Sequence, residues 1–155
     1  MKKPQLAIAL AFGAVTATAA AGDVEDQIRF RQSAYSFLGW NTAKIKAQAS
    51  DHPDTFNKDE VIAAANAIAG VANAGVFEKL YGPGTDKGTG WKPSRLKPEF
   101  FEKQDEAKEI NATFIKEANE LQKVAAGGDP AAIKAQFGKL AAACKSCHDL
   151  IRIRQ

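Results

Sequence analysis

Four stretches of the sequence repeat their apolar residues every three or four positions, and this periodicity limits the fold more than any other feature. Such an interval places side chains on one face of an α-helix. The stretches cover residues 24 to about 49, residues 57–81, and two further segments that open at Pro98 and at Asp129-Pro130. Asp129-Pro130 supplies a helix N-cap followed by proline at the first helical position. No segment alternates as a strand would, so the chain is predicted to be all-α.

The connections between these stretches predict how the helices are arranged. Residues 51–54 and the pair Gly127-Gly128 form two short breaks, whereas residues 82–96 form a long segment rich in Gly and Pro. A segment of this length can travel the length of a helix bundle. We therefore predict an antiparallel four-helix bundle with one long crossover loop. Its predicted core positions include Ile28, Leu38, Ile45, Val61, Ala65, Ile68, Phe114, Ala118, Leu121, Ile133, Leu140, Ala141, Cys144, His148 and Ile151.

Residues 1–21 have the composition of a secretory signal peptide. Basic residues Lys2 and Lys3 precede a short apolar stretch, and small residues follow it up to Ala21. A membrane-anchoring helix is the alternative, but the apolar stretch is short and contains Gly13. We expect cleavage after Ala21, export to the periplasm, no remaining membrane anchor, and a single bundle domain over residues 22–155.

Charge and ligand content exclude several functional classes. The 21 Lys and Arg against 18 Asp and Glu give a net charge of only +3, and no basic block appears along the chain. A dedicated nucleic-acid-binding protein is therefore not expected. Two Cys, two His and one Met are also too few for a multi-metal centre, and they argue against a four-ligand structural zinc site.

The segment Cys144-Lys145-Ser146-Cys147-His148 carries the chemistry of the sequence. C-x-x-C-H is the attachment signature of a c-type haem. In a helix, positions i, i+3 and i+4 share one face. Both thiols can then bond the two vinyl groups of one porphyrin edge while the imidazole of His148 reaches the iron. The sequence thus predicts one covalently attached haem c, with His148 as the axial iron ligand.

Three other interpretations of the motif account for less of it. A Cys-x-x-Cys redox pair is typical of a βαβ setting, and this motif lies late in the last predicted helix. A structural disulfide agrees with export but leaves His148 unexplained. A closed zinc shell lacks one ligand unless His52 joins it. Haem attachment accounts for Cys144, Cys147 and His148 together.

The ligand opposite His148 decides what such a haem can do. Met1 is the only methionine and lies in the predicted signal peptide, which excludes the His/Met pair of common electron carriers. The remaining imidazole, His52, is expected in a surface turn. We therefore expect a five-coordinate, high-spin iron that binds small gases such as NO and CO. The alternative is a low-spin one-electron carrier with another sixth ligand. The sequence shows no group of acid and base residues that would indicate a catalytic site, so an enzyme is not expected.

Three segments make the sequence similar to the cytochromes c′, an exported family of four-helix haem proteins. They are residues 30–35 (Phe-Arg-Gln-Ser-Ala-Tyr), residues 81–85 (Tyr-Gly-Pro-Gly-Thr), and residues 144–148 followed by Arg152. The three segments occur in order and extend the resemblance over essentially the whole chain after residue 21. The resemblance implies electron transport, gas binding or both, with redox partner proteins that the sequence does not identify.

The resemblance also implies roles for individual residues. Arg31 and Gln32 are expected at the haem propionates, and Tyr35 is expected to cover the distal side of the iron, opposite His148. Arg152 matches a basic residue beside the proximal pocket, on the His148 side, and Lys92 is expected to approach a propionate. The family commonly forms homodimers through its first two helices, so a homodimer is expected here.

Overall fold

The computed structural model describes residues 21–154, and this part of the chain is a bundle of four long helices with one added helical turn. Between Thr89 and Arg152 it holds two isolated β-bridges, and no strand occurs within the described range. The helices are α1 (Ala21–Lys46), α2 (Lys58–Ala72), α3 (Val76–Lys79), α4 (Gln104–Gly127) and α5 (Pro130–Ile151). The prediction of an all-α four-helix bundle is confirmed. Apart from Ala21, the predicted signal peptide lies outside the described residues.

The second predicted helix is shorter than its apolar pattern indicated. We expected it to continue to Tyr81, but α2 ends at Ala72 and the chain resumes as the single turn α3. Gly75 adopts a left-handed conformation with φ of 70°, which breaks the helical path. The Asn73 side chain also donates to the Ala69 carbonyl oxygen at 2.7 Å, competing with the backbone ladder. The break lets α3 turn toward the crossover loop.

The start of the third bundle helix also differs from the prediction. Pro98 opens a 3-10 turn, Pro98–Glu102, and α4 begins only at Gln104. Lys103 lies between the two with φ of −113°, outside the helical range. The turn buries Phe100 to 3% exposure in an apolar cluster beside the crossover loop. Burial of this ring therefore sets the local conformation more strongly than the helix-start signal of Pro98.

Buried apolar residues form two clusters. The main cluster runs between the four long helices, and a smaller one joins α3, the 3-10 turn and the end of α5. The smaller cluster contains Phe77, Leu96, Phe100, Ala107 and Ile151, with Tyr81, Phe101, Cys147 and Leu150 packed against it. Cys144 packs against the main cluster and Cys147 against the smaller one. The motif of α5 therefore lies where the two clusters meet.

Most predicted core positions are buried, with three exceptions on α5, where Cys144 is only partly buried. Ala141 and His148 are exposed, whereas Ala143 and Gln136 are buried. Gln136 donates to the Glu117 side chain at 2.7 Å and to the Glu117 carbonyl oxygen at 3.2 Å, so its burial is compensated by hydrogen bonds to α4. The buried face of α5 is therefore rotated from the core face that the apolar spacing predicted.

By length and composition, the segment Lys58–Lys79 is apolar enough to cross a membrane. In the bundle it packs against α1 and α4, and its residues Val61, Ala65 and Ile68 are at most 1% exposed. These side chains belong to the main cluster. The apolar character of this segment is therefore accounted for by its place in the core.

Candidate functional site

Helix α5 presents the two thiols and the imidazole of the motif at i, i+3 and i+4. Cys144 and Cys147 are free and partly buried, and His148 is exposed to solvent. The helix is regular through all three residues. The predicted attachment residues therefore come together on one helix with both thiols available for a covalent bond.

The protonation of the thiols argues against a dithiol redox site. Burial raises the pKa of Cys144, and it raises the pKa of Cys147 to about 11, with a smaller contribution from the charge of Cys144. Catalytic cysteines of exchange enzymes instead have lowered pKa values, because the thiolate is the nucleophile. Both thiols are protonated at neutral pH, which is consistent with structural anchoring positions.

The imidazole of His148 is held in the form that can bind a metal. Partial burial and then the positive charge of Arg152 lower its pKa, while the carboxylate of Asp149 acts in the opposite direction. A lowered pKa means that the neutral ring, which has a free nitrogen lone pair, prevails at neutral pH. Asp149 itself is paired with Lys145 and Arg154.

The zinc alternative finds no support in the described part of the chain. Within residues 21–154, no three His, Cys, Asp or Glu side chains come together in a metal-binding arrangement. His52 is exposed in the turn that links α1 to α2. His148 is at the far end of α5, so the two imidazoles do not share a site.

A groove of about 500 Å³ separates α1 from α5 beside the motif. Cys144 and His148 line it together with mostly small or apolar residues of both helices. These two helices contact each other far less than α4 and α5 do. Its volume lies in the range of small-molecule and cofactor sites, about 300–1,000 Å³. Two free thiols, an available imidazole and an adjoining apolar groove are the features that a covalently bound haem c needs, so these residues fit that group.

Arg31 is buried, with 6% exposure, and holds the crossover loop against α1. Its two terminal nitrogens donate to the Leu80 carbonyl oxygen at 3.0 Å, to Thr85 at 3.1 and 2.9 Å, and to the Ser94 hydroxyl at 3.1 Å. The guanidinium also lies over the Tyr81 ring, 4.4 Å from its centre. Because these bonds use the terminal nitrogens, only the Nε–H could still reach a propionate. The predicted propionate contact of Arg31 stays a prediction.

Gln32 and Lys92, both predicted near the propionates, meet across the crossover loop. The Gln32 side chain donates to the Lys92 carbonyl oxygen at 2.8 Å and accepts from the Lys92 backbone N–H at 3.1 Å. The Lys92 side chain is exposed. These two hydrogen bonds fix the loop backbone on α1. They do not involve the ammonium group of Lys92.

Tyr35, the predicted distal residue, is partly buried and packs against the main cluster. Burial raises the pKa of Tyr35 to about 12, and the neighbouring Tyr81 side chain acts in the opposite direction. Burial likewise raises the pKa of Tyr81 well above its ordinary value. Cys147 contributes to the raised pKa of both tyrosines, which places the pair near the motif. Tyr35 lies on α1 about one helical turn before Gly39, the first residue of α1 that lines the groove.

Arg152 is exposed and lines a second, smaller cleft beside His148. The cleft measures about 330 Å³ and is also lined by Arg95 and Arg154. The placement of Arg152 agrees with a position beside the proximal pocket, and its role there stays a prediction.

Sequence reasoning missed Tyr81 as a site residue and treated it only as the end of a helix. In the structure Tyr81 lies beside Arg31 and Tyr35, and its ring packs at a tilt against Phe77 and Phe100, with 5.3 Å between ring centres. An aromatic residue directly before Gly82-Pro83-Gly84 was the available signal. That signal does not reveal which helix the ring meets, because the partner residue Arg31 lies 50 positions earlier in the chain.

Comparison with known proteins gives one consistent family. The family model described as Cytochrome C′ matches residues 26–152. A cytochrome c′ of Rhodocyclus tenuis is 52% identical over 128 residues, covering 83% of this chain and 94% of that protein. A cytochrome c′ of Allochromatium vinosum is 45% identical over 146 residues, covering 94% of this chain and 92% of that protein.

Solved structures agree with the sequence relatives. A cytochrome c′ described as having an unusual ligand-controlled dimer dissociation is 46% identical, with a TM-score of 0.78, and the match covers 84% of this chain and 97% of that one. The crystal structure of cytochrome c′ from Thermochromatium tepidum is 41% identical, also with a TM-score of 0.78 and the same coverage of both chains. The chain therefore belongs to the cytochrome c′ family.

Proposed function

We propose that this chain is an exported c-type haem protein that binds small gases and passes single electrons. Cys144 and Cys147 would hold one haem c covalently, and His148 would be its axial iron ligand. Cytochromes c′ bind haem c and are not a known enzyme family. When bound, the haem supplies an iron that can change charge by one electron or take up a ligand such as NO or CO.

The observation that carries this proposal is the donor set on α5. Two free, protonated thiols lie one helical turn apart, and the next residue is an exposed imidazole whose pKa is lowered. A redox dithiol would not need His148, and a zinc site would need a further ligand. Haem c uses all three side chains, and the groove beside Cys144 offers it space.

The expected vacancy at the sixth position supports gas binding over a low-spin carrier. Met1 is the only methionine of the chain, and His52 is exposed in the α1–α2 turn. Tyr35 would cover the distal side, and its hydroxyl is protonated at neutral pH because burial raises its pKa to about 12. A neutral phenol is a poor iron ligand, so Tyr35 would restrict access without occupying the position.

Two measurements on protein matured with haem in a periplasm test the proposal. Mass spectrometry should give the polypeptide from residue 22 plus one haem, and Cys144→Ser with Cys147→Ser should give the mass without it. Ser146→Ala, at an exposed position between the two thiols, is the matched control and should keep the haem. Mature protein with the bare polypeptide mass would overturn the proposal.

Visible and paramagnetic-resonance spectra of the ferric protein test the coordination. We expect a high-spin signal at neutral pH and rapid CO uptake after reduction. A low-spin signal with two nitrogen ligands would instead support the one-electron carrier with a non-Met sixth ligand. Spectra and mass together separate covalent attachment from coordination, since either can be right without the other.

A homodimer through α1 belongs to the same proposal. Phe30, Phe37 and Trp40 are 57%, 50% and 58% exposed, and their spacing of seven and three places them on one side of the helix. Exposed aromatic residues of this kind are enriched in protein–protein interfaces. The relative of 46% identity described as dissociating from a dimer under ligand control supports this use of the surface.

A further inference from the structure

Positive charge is concentrated around His148. Five cations, Arg95, Lys97, Lys145, Arg152 and Arg154, belong to the two segments that meet beside this residue, and Asp149 is the one acid among them. We call this set of residues the basic surface. The remainder of residues 21–154 carries more acids than bases. The small net charge of the chain therefore conceals a strong asymmetry.

The basic surface is built on fixed backbone contacts. The Lys97 N–H donates to the Ile151 carbonyl oxygen at 2.8 Å, and the Ile153 N–H donates to the Arg95 carbonyl oxygen at 2.9 Å. Arg95 also donates through Nε and Nη2 to the Ile153 carbonyl oxygen, at 3.1 and 2.7 Å. These contacts pin the end of the crossover loop to the end of α5. The cations are therefore held in one place beside His148.

Most of this charge has no acidic partner within the surface. Asp149 pairs with Lys145 and Arg154, and these are its only ion pairs among the described residues. Among residues 21–154, no acidic side chain lies at salt-bridge distance from Arg95, Lys97 or Arg152. Concentrated charge of one sign accelerates the encounter with a partner of the opposite sign.

The shape and composition of the surface favour a protein partner. A cleft of about 330 Å³ opens between Arg95, Arg152 and Arg154, with His148 on its wall. Ile153, which also lines the cleft, is 44% exposed and adds an apolar contact. Arginines around a small apolar centre are typical of protein interfaces, where the guanidinium forks bind carboxylates. A flat lipid surface would not use the concave region.

We propose that the basic surface is the docking site of an acidic electron-transfer protein, and this inference rests on the proposed haem function. In the complex the reduced partner gives up one electron and the ferric holoprotein takes it up, with no bond formed or broken. Docking at this place brings the partner to the exposed imidazole of His148. The cations orient the partner during the encounter, and Ile153 with the cleft defines where it comes to rest.

Stopped-flow reduction of the ferric holoprotein by a reduced flavodoxin, which is a strongly acidic protein, tests the inference. We expect the second-order rate to fall at least about tenfold as ionic strength rises from about 10 to 300 mM, because screening removes the attraction. The double variant Lys145→Glu with Arg154→Glu should slow the low-salt reaction by a similar factor. Both side chains are highly exposed, 75% and 81%, so the fold should tolerate the change.

The matched control is Lys116→Glu with Lys123→Glu on α4. These side chains are 80% and 74% exposed, and the change in total charge is the same. The control should stay within about twofold of the unchanged protein, since its charges lie away from the docking site. A salt-insensitive reaction, or equal slowing of both double variants, would overturn the inference.

CO binding and vesicle binding distinguish the remaining outcomes. CO uptake by the reduced protein should be the same in all variants, which shows that the haem site is intact. If holoprotein does not form or does not take up CO, the proposed function fails. If CO binds normally and the rate of reduction by flavodoxin does not change with ionic strength, only the docking inference fails. A third outcome would assign the surface to lipid and overturn the inference. In that case the flavodoxin rate does not depend on salt, while the protein binds phosphatidylglycerol vesicles in a salt-dependent way and the Lys145 and Arg154 variant does not.

Discussion

Replacing Arg31 by methionine should destabilise the protein more than any other single change to a charged side chain of α1. The guanidinium makes four hydrogen bonds of 2.9–3.1 Å to the crossover loop. Methionine would fill much of the volume but donate to none of these acceptors. The Leu80 carbonyl oxygen would lose its partner, while Thr85 and Ser94 would keep the bond between them at 2.7 Å.

The expected loss follows from these contacts. An unsatisfied buried polar group costs about 1–3 kcal/mol, and loss of the cation over the Tyr81 ring adds about 1 kcal/mol. Since Thr85 and Ser94 keep part of their bonding, we expect a total decrease of about 3 kcal/mol in the free energy of unfolding. For a chain of this size that corresponds to a decrease in Tm of roughly 10 °C.

Urea unfolding of the ferric holoprotein, followed by circular dichroism of the helices, measures this loss. Arg29→Met is the matched control, since Arg29 lies two positions earlier on α1 and pairs with Asp26 at 2.5 Å near the surface. An exposed ion pair of this kind contributes about 0–1 kcal/mol. The reasoning is refuted if Arg31→Met costs under about 1 kcal/mol, or no more than the control.

Three further predictions concern ligand access, pH and assembly. Tyr35→Ala should raise the rate and the affinity of CO binding about tenfold in flash photolysis, because the distal side loses its cover. Ser36→Ala is the control, and CO kinetics in Tyr35→Ala that equal those of this control and of the unchanged protein would exclude Tyr35 as the lid. Because burial raises the pKa of Tyr35 from 10.0 to about 12, its contribution to stability is complete below pH 10 and is lost as pH rises through 12. The urea midpoint should therefore fall over this range, and less steeply in Tyr35→Phe; identical slopes would contradict the assignment. Trp40→Glu should give the mass of a monomer in analytical sedimentation, whereas Trp91→Glu, at another exposed tryptophan, should keep the dimer. A dimer in both variants would exclude α1 from the interface.

Helix content and the placement of the motif on a single helix were predictable because both depend on local spacing. The apolar period of three to four gave four bundle helices, and C-x-x-C-H placed its three side chains on α5 without any tertiary information. The boundaries were less predictable. The end of α2 depends on the left-handed conformation of Gly75, and the start of α4 depends on burial of Phe100. The spacing of apolar residues reveals neither the conformation of Gly75 nor the burial of Phe100.

Some of the candidate site also depended on contacts that spacing cannot reveal. The structure joins Arg31 to the loop interior and Gln32 to the Lys92 backbone, and the expected propionate contacts of both residues stay predictions. The prediction for Tyr35 named the residue but not its neighbour Tyr81. Adjacent residues on a helix point in different directions, and only the packing of the loop decides what each one meets.

The sequence by itself determined that the chain is helical and which residues could hold a haem, since helical period and motif spacing act within a few residues of each other. Tertiary structure decided the burial of Arg31, the pairing of Tyr35 with Tyr81, and the gathering of cations around His148. Each of these joins residues about 45 to 60 positions apart in the chain. Only the closed bundle, with its crossover loop fixed at both ends, brings such distant groups within reach of each other.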